Sequence, residues 1–189
     1  MNKNKILFVI DEQYDFIEGG KLAVNGGIAA CKNTVKLLEN NEFKLKILTC
    51  DFHPYNHSSF INHGGQWPSH CVEHTHGAAI YEDVLVTANN TSGITKVLTK
   101  GCFIDVEEYS IFNNPYQSLY LSQMLNLVPF DEIHICGIAA EYCVLNTLKD
   151  LIKIVDPTKV CVHLDCIAAI ESMHVLVDFC NEHKITFVS

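Results

Sequence analysis

The 189-residue sequence predicts an α/β fold: an open six-stranded parallel sheet flanked by helices on both faces, in three Rossmann-like layers. Three observations carry that prediction. Short apolar runs rich in Ile and Val recur along the chain, polar or glycine residues follow each run, and segments with helical spacing lie between several of them. The length suits one domain spanning residues 1–189, because domains usually hold about 100–200 residues.

The runs are Lys5–Ile10, Leu45–Cys50, Thr95–Thr99, Glu132–Gly137, Lys159–Leu164 and Ile185–Val188. Their near-continuous apolar character is that of strands covered on both faces. Between them, residues 28–41 place Ile28, Val35 and Leu38 on one face, bounded by Gly26-Gly27 and Asn40-Asn41. Residues 115–127 open with Pro115 at a first-turn position and carry Leu119, Met124 and Leu127. Residues 141–153 carry Val144, Leu148, Leu151 and Ile152, and residues 168–182 carry Ala168, Val175 and Phe179. This alternation argues for a mostly parallel sheet with four or more helices. The segment 51–94 breaks the rhythm, being rich in His, Asn, Gly and Ser. So long a loop inside a compact domain is either functional or conceals an element.

Charge narrows the partners. The chain has 13 basic and 22 acidic residues, a net charge of −9, and every basic residue is lysine. An acidic chain without arginine is a poor binder of nucleic acid or of an anionic membrane. It also lacks the guanidinium fork that grips carboxylates and phosphates at two points. A small neutral substrate is favoured. The nine cysteines include no C-x-x-C pair, so free thiols in a reducing cytoplasm are the simplest expectation. The first residues lack the long apolar stretch and cleavage site of a secretory leader. No run approaches the ~20 apolar residues of a membrane span.

In an open parallel sheet, ligands collect at the carboxyl ends of the strands. Asp11 follows the first run, Asp51 and His53 the second, Lys100 the third, and Gly137-Ile138-Ala139 with Cys143 the fourth. Each alone has a plain explanation, since Asp caps turns, Lys reaches water, and most intracellular cysteines are small buried hydrophobes. Together they deliver carboxylate, imidazole, ammonium and thiol to one edge. Cys143 sits at an expected strand-to-helix turn, where unpaired N–H groups favour a thiolate and can hold an oxyanion. Asp11 is then a candidate base for the thiol proton, and Lys100 a cation holding both anions and favouring the charged thiol. Asp51 and His53, two residues apart, face the same side of an extended segment. His70 follows in Trp67-Pro68-Ser69-His70-Cys71, and a carboxylate with two or more imidazoles suits zinc, iron or manganese. His57, His63, His74 and His76 crowd the same stretch, and a polar His-rich loop without metal stands as the alternative.

The motifs Asp11-x-Gln13-x-Asp15-Phe16, Asp51-Phe52-His53-Pro54-x-x-His57-x-Ser59-Phe60, Trp67-Pro68-x-His70-Cys71, Lys100-Gly101 and Gly137-x-Ala139-x-x-x-Cys143-Val144 occur in that order. Together they resemble the isochorismatase-like cysteine hydrolases and, within them, the nicotinamidases, over residues 7 to about 150. The metal-type motif separates the nicotinamidases from isochorismatases and carbamoyl amidases. The resemblance implies a triad of Asp11, Lys100 and Cys143, with the N–H groups of Ala139 and Cys143 as oxyanion hole and a cis Ile138–Ala139 bond. It implies one divalent metal on Asp51, His53 and His70, zinc by preference, iron or manganese otherwise. His57 is a further ligand in some relatives and not in others. Phe16 and Trp67 are expected to sandwich a pyridine ring, and Tyr109 to line the pocket.

The implied reaction is hydrolysis of nicotinamide to nicotinate and ammonia through a Cys143 thioester, as in NAD salvage, with pyrazinamide as a further substrate. The implied metal binds the pyridine nitrogen rather than activating water. Two alternatives are a hydrolase of another small amide on the same fold, and a non-catalytic metal-binding or redox-sensing domain using Cys143 as its sensor. The sequence leaves open whether copies of the chain associate as a homo-oligomer.

Overall fold

A computed structural model describes residues 3–189. Its sheet has six parallel strands in the order β3-β2-β1-β4-β5-β6, with β1 Lys5–Ile10, β2 Leu45–Asp51, β3 Ile94–Lys100, β4 Glu132–Ile138, β5 Val160–Ala168 and β6 Thr186–Val188. The chain starts in the middle, builds outward through β2 and β3, then crosses back to β4. The order reverses between β1 and β4, which is where an open α/β sheet has its ligand crevice.

Alternate residues of β1 enter two cores. Ile6, Phe8 and Ile10 pack with helices α3 (Pro115–Leu127), α4 (Leu145–Leu151) and α5 (His174–His183) through Leu121, Leu125, Leu148, Leu176 and their neighbours. Leu7 and Val9 pack against α1 (Gly27–Glu39) and α2 (Glu82–Asn90) through Ala30, Leu38, Val84 and Ala88. Helices therefore cover both faces, as the apolar runs require. Asn114 caps α3 by accepting from the N–H groups of Tyr116 and Gln117 at 3.2 and 3.1 Å, and Pro115 occupies the first turn as expected.

The structure corrects the sequence reading in two places. Residues 51–94 contain α2 and two 3-10 turns, Ile61–His63 and His76–Ala78. Val84 and Ala88 are the fully buried residues of α2, with Leu85 packed partly against the core, a stripe too sparse to announce a helix. The segment 168–182 is helical only from His174, because β5 runs on to Ala168 past a register shift between Ile135 and Gly137 of β4.

Candidate active site

Strand register assembles the site. Ile10 is opposite Thr49 and Gly137, and Asp51 is opposite Lys100. The residues that follow β1, β2 and β4 thus emerge beside the end of β3. Asp11 leaves β1 with φ 49°, a left-handed conformation costly for a non-glycine residue and common at functional sites. Its Oδ1 accepts from Thr49 Oγ1 at 2.6 Å and its Oδ2 pairs with Lys100 Nζ at 2.8 Å. The same ammonium donates to Asp51 Oδ1 and lies 3.4 Å from Cys143 Sγ. Asp11 and Lys100 are wholly buried. Sequence and structure agree that these three side chains meet.

Burial shapes their protonation. Desolvation raises Asp11 above the ordinary carboxylate range, and the charge of Asp51 adds to that rise against the pull of Lys100. Desolvation also acts on Asp51, but Lys100, His53 and His70 together hold it well below that range. Lys100 resists burial because Asp11, Asp51 and Cys143 surround it, so it stays charged. Cys143 departs from expectation. Burial pushes its thiol well above the ordinary value, Lys100 only partly opposes that, and Asp11 and Asp51 reinforce it. These surroundings favour the thiol over the thiolate, so activation of the sulfur calls for a base.

Cys143 stands in a π-type turn, Ala140–Val144, that runs into α4. Ala139 precedes the turn in extended conformation, the Ile138–Ala139 bond is cis, and the Ala139 carbonyl accepts from the N–H groups of Tyr142 and Val144. Glu141 ties the turn to the chain after β5 by accepting from the N–H groups of Ile170, Glu171 and Ser172 at 3.1, 2.6 and 2.6 Å.

Next to this trio, donor atoms of Asp51, His53 and His70 lie within 4.8 Å of one another. His53 Nε2 is 3.6 Å and His70 Nε2 4.0 Å from Asp51 Oδ2. His53 Nδ1 faces the Gly101 carbonyl at 3.0 Å and His70 Nδ1 the Pro68 carbonyl at 2.7 Å. A carbonyl only accepts, so each Nδ1 carries a proton and, in the neutral ring, each Nε2 is left facing inward with its lone pair. That is how backbone carbonyls orient metal-binding imidazoles. The donor set and its preset tautomers fit a divalent metal of the zinc, iron or manganese type.

His57 is built differently. Its Nδ1 meets Ser59 Oγ at 2.7 Å and its Nε2 the Val106 carbonyl at 3.1 Å, so both nitrogens are engaged away from the triad. Its ring packs on His53 with centroids 4.4 Å apart. The geometry gives it a supporting place and no free donor. Gly101 has φ 67°, and a Cβ there would run into the His53 ring.

A cleft is lined by residues of both groups, Asp51, His70 and Cys143, together with Ala139 and the aromatic rings of Phe16, Trp67 and Tyr109. Trp67 Nε1 and Gln66 Nε2 donate to Tyr109 Oη at 3.0 and 3.1 Å. Leu22, Glu107, Tyr142 and Ile170 also line the cleft, and sequence reasoning missed all four. Tyr142, beside Cys143 in sequence and edge-on to Trp67 at 5.0 Å, could have been found from its neighbour. The others arrive through loop packing that leaves no spacing signal. Sequence reasoning also gave no role to Gln13. Its Nε2 donates to the Asp51 and Ala78 carbonyls and its Oε1 accepts from the Asp51 N–H, each at 2.8 Å, fixing the end of β2.

An isochorismatase domain model matches residues 5–177. The chain belongs to the isochorismatase family. Within that family it is 33% identical over 181 residues to the nicotinamidase/pyrazinamidase of Mycobacterium tuberculosis, covering 89% of this chain and 94% of that one. Its fold is similar to the crystal structure of Pyrococcus horikoshii pyrazinamidase in complex with zinc, with TM-score 0.82, 28% identity and coverage of 98% of this chain and 99% of that chain. It is similar also to the yeast nicotinamidase bound to the inhibitor nicotinaldehyde, with TM-score 0.83, 26% identity and coverage of 98% and 99%. Among the described residues, no helix is long and apolar enough to cross a membrane.

Proposed function

We propose that this isochorismatase-family chain is a nicotinamidase, hydrolysing nicotinamide to nicotinate and ammonia, with pyrazinamide as a second substrate. The observation that carries the reading is the shared use of Lys100. One buried ammonium joins a thiol-and-carboxylate pair to a carboxylate-and-imidazole triad under an aromatic cleft. The first group suits acyl transfer, and the second suits an anchor for a heteroaromatic nitrogen.

In the proposed reaction Asp11, raised by burial, accepts the Cys143 proton as sulfur attacks the amide carbonyl. The N–H groups of Ala139 and Cys143 receive the developing oxyanion. Asp11 returns the proton to the departing nitrogen, releasing ammonia and leaving a Cys143 thioester. Asp11 then takes a proton from water as its oxygen attacks the thioester and passes that proton to the departing Cys143 sulfur, which leaves as a thiol; the nicotinic acid formed loses its proton to solvent and departs as nicotinate. Lys100 keeps a positive charge beside the sulfur and Asp11 throughout. Phe16 and Trp67 hold the ring, and Tyr109 buttresses Trp67 through its hydroxyl. A divalent metal on Asp51, His53 and His70, zinc by preference, would supply a Lewis-acid contact for the pyridine nitrogen. Such orientation can be worth roughly 7–11 kcal/mol in ideal intramolecular cases. All nine cysteines are unpaired, which fits work in the cytoplasm.

A coupled assay for ammonia with nicotinamide as substrate tests the reading. Ammonia release with a matching yield of nicotinate is expected. Release from another small amide but from neither nicotinamide nor pyrazinamide would replace this substrate. Release from no amide would leave a binding protein.

A further inference from the structure

Three metal-binding side chains gather at the opposite end of the sheet. His134 on β4 is opposite Cys161 on β5, and His163 follows two residues later. Period-two alternation puts all three on the face covered by α1. His134 Nδ1 and His163 Nε2 are 2.8 Å apart, and with Cys161 the three donor atoms lie within 4.8 Å of one another. His134 is buried, while Cys161 and His163 are half-buried.

We propose that His134, Cys161 and His163 form a second cation site for a thiophilic divalent ion such as zinc or cobalt(II). The donor set matches that chemistry, since two imidazoles and a thiolate select zinc-like ions over magnesium or calcium. Glu132 supplies the orientation. Its Oε2 lies 3.4 Å from His134 Nε2, and Lys3 pairs with its other oxygen. With the His134 proton held on Nε2 by this carboxylate, Nδ1 points a lone pair at the site, as in carboxylate–histidine–metal arrangements.

Two nitrogens on a tetrahedral ion at ~2.0–2.1 Å stand about 3.4 Å apart. The rings need only part slightly, and the proton now shared between them moves to His163 Nδ1. Cys161 releases its proton to solvent on binding. His163 borders a surface groove that it shares with Asn33, Lys36, Asn40, Asn41 and Asp165. The carbonyl end of α1 lies there and favours a cation. Lys5 opposes it from the same face, but its ammonium is tied to Asn41 Oδ1 at 3.1 Å, and Glu132 offsets its charge.

The test titrates metal-free full-length protein with cobalt(II) alone, reading stoichiometry by equilibrium dialysis and the near-ultraviolet thiolate-to-cobalt charge-transfer band. Two equivalents per chain and a thiolate band are expected. Cys161→Ser should remove the band and one equivalent, with amide hydrolysis unchanged within about twofold. His163→Gln, which keeps the thiol, should weaken the same site by about tenfold or more. His53→Ala should lose the other equivalent and keep the band. Binding of a single equivalent without a band, or a band that survives Cys161→Ser and vanishes in Cys143→Ala, would overturn the proposal.

Discussion

Asp11 and Asp51 leave neighbouring strands, are both buried and both touch Lys100, yet burial prevails at one and fails at the other. Asp51 has the ammonium and two imidazoles around it and stays ionised far into acid. Asp11 has the same ammonium and the Thr49 hydroxyl, but it also faces the charge of Asp51, and its carboxyl is raised. One cation shared by two carboxylates leaves one of them reluctant to be charged, and that one can take up a proton. The pair illustrates how identical side chains acquire acid–base and purely anionic roles from their surroundings. It also makes the two halves of the site interdependent, because the fixed charge of Asp51 helps to set the basicity of Asp11.

The largest expected effect lies on the Asp11 side. Cys143→Ala should lower turnover by a factor on the order of 10,000 or more while the fold persists, since one small side chain replaces another. Nicotinaldehyde should add to Cys143 as a thiohemiacetal, visible by mass spectrometry of the trapped adduct. An adduct mapping to any of the other cysteines would remove Cys143 from the chemistry.

Asp11→Asn comes next. It preserves shape and the Thr49 contact but cannot accept a proton, so the chemical step should fall by about 100–10,000-fold. Combined with Cys143→Ala, it should cost little beyond either change alone, because residues that serve one step are not additive. Multiplied losses in single-turnover rates would show that Asp11 acts as a structural cap instead.

The Asp51 side is probed by the substrate. Nicotinamide and pyrazinamide share a ring nitrogen meta to the amide, while benzamide has the same shape without that lone pair. Benzamide should lose about 100-fold in kcat/KM, equivalent to about 2.7 kcal/mol, and picolinamide and isonicotinamide should fare no better. Chelation should depress nicotinamide hydrolysis, and His53→Ala should not recover on adding zinc. Equal rates for benzamide and nicotinamide, indifferent to chelator, would reduce the triad to a packed polar cluster.

These contrasts were unevenly legible in the sequence. The residues standing after the apolar runs were readable, because a parallel sheet sends every strand end to one edge; register then brings Asp51 opposite Lys100. The shared side of Asp51 and His53 was readable from their spacing, whereas the choice of His70 among the neighbouring histidines rested on the family resemblance; the loop brings it to the other two. The upward push on the Cys143 thiol was not readable. It depends on how completely the cleft excludes water and on two carboxylates set by tertiary contacts. Nor was the role of Gln13, whose three hydrogen bonds join segments far apart in sequence. Helix α2 stayed hidden because the packing of Val84 and Ala88, with Leu85 at the margin, replaces a full apolar stripe.

Glu12, immediately after Asp11, completes the series as a buried acid on which no cation acts among the described residues, and its expected effect falls on stability rather than on turnover. Its Oε1 accepts from Thr34 Oγ1 at 2.6 Å, its Oε2 has no hydrogen-bond partner among the described residues, and the residue is 1% exposed. Burial pushes it up to about 8 from an ordinary 4.5, outweighing the opposing hydrogen bonds of Thr34 and Cys31. A carboxyl raised on folding binds its proton more tightly in the native state than in the unfolded chain. Its contribution to stability is therefore full below about 4.5 and is lost as pH rises toward about 8. The loss across that window should be on the order of 4 kcal/mol. Glu12→Gln keeps a neutral hydrogen-bonding group of similar shape and removes the titration. Urea unfolding at mildly acidic, neutral and mildly alkaline pH should show the variant close to wild type in acid and increasingly the more stable of the two as pH rises. A difference that stays constant across the series would mean that Glu12 carries the same charge folded and unfolded, and that burial without a cation is not what separates it from Asp51.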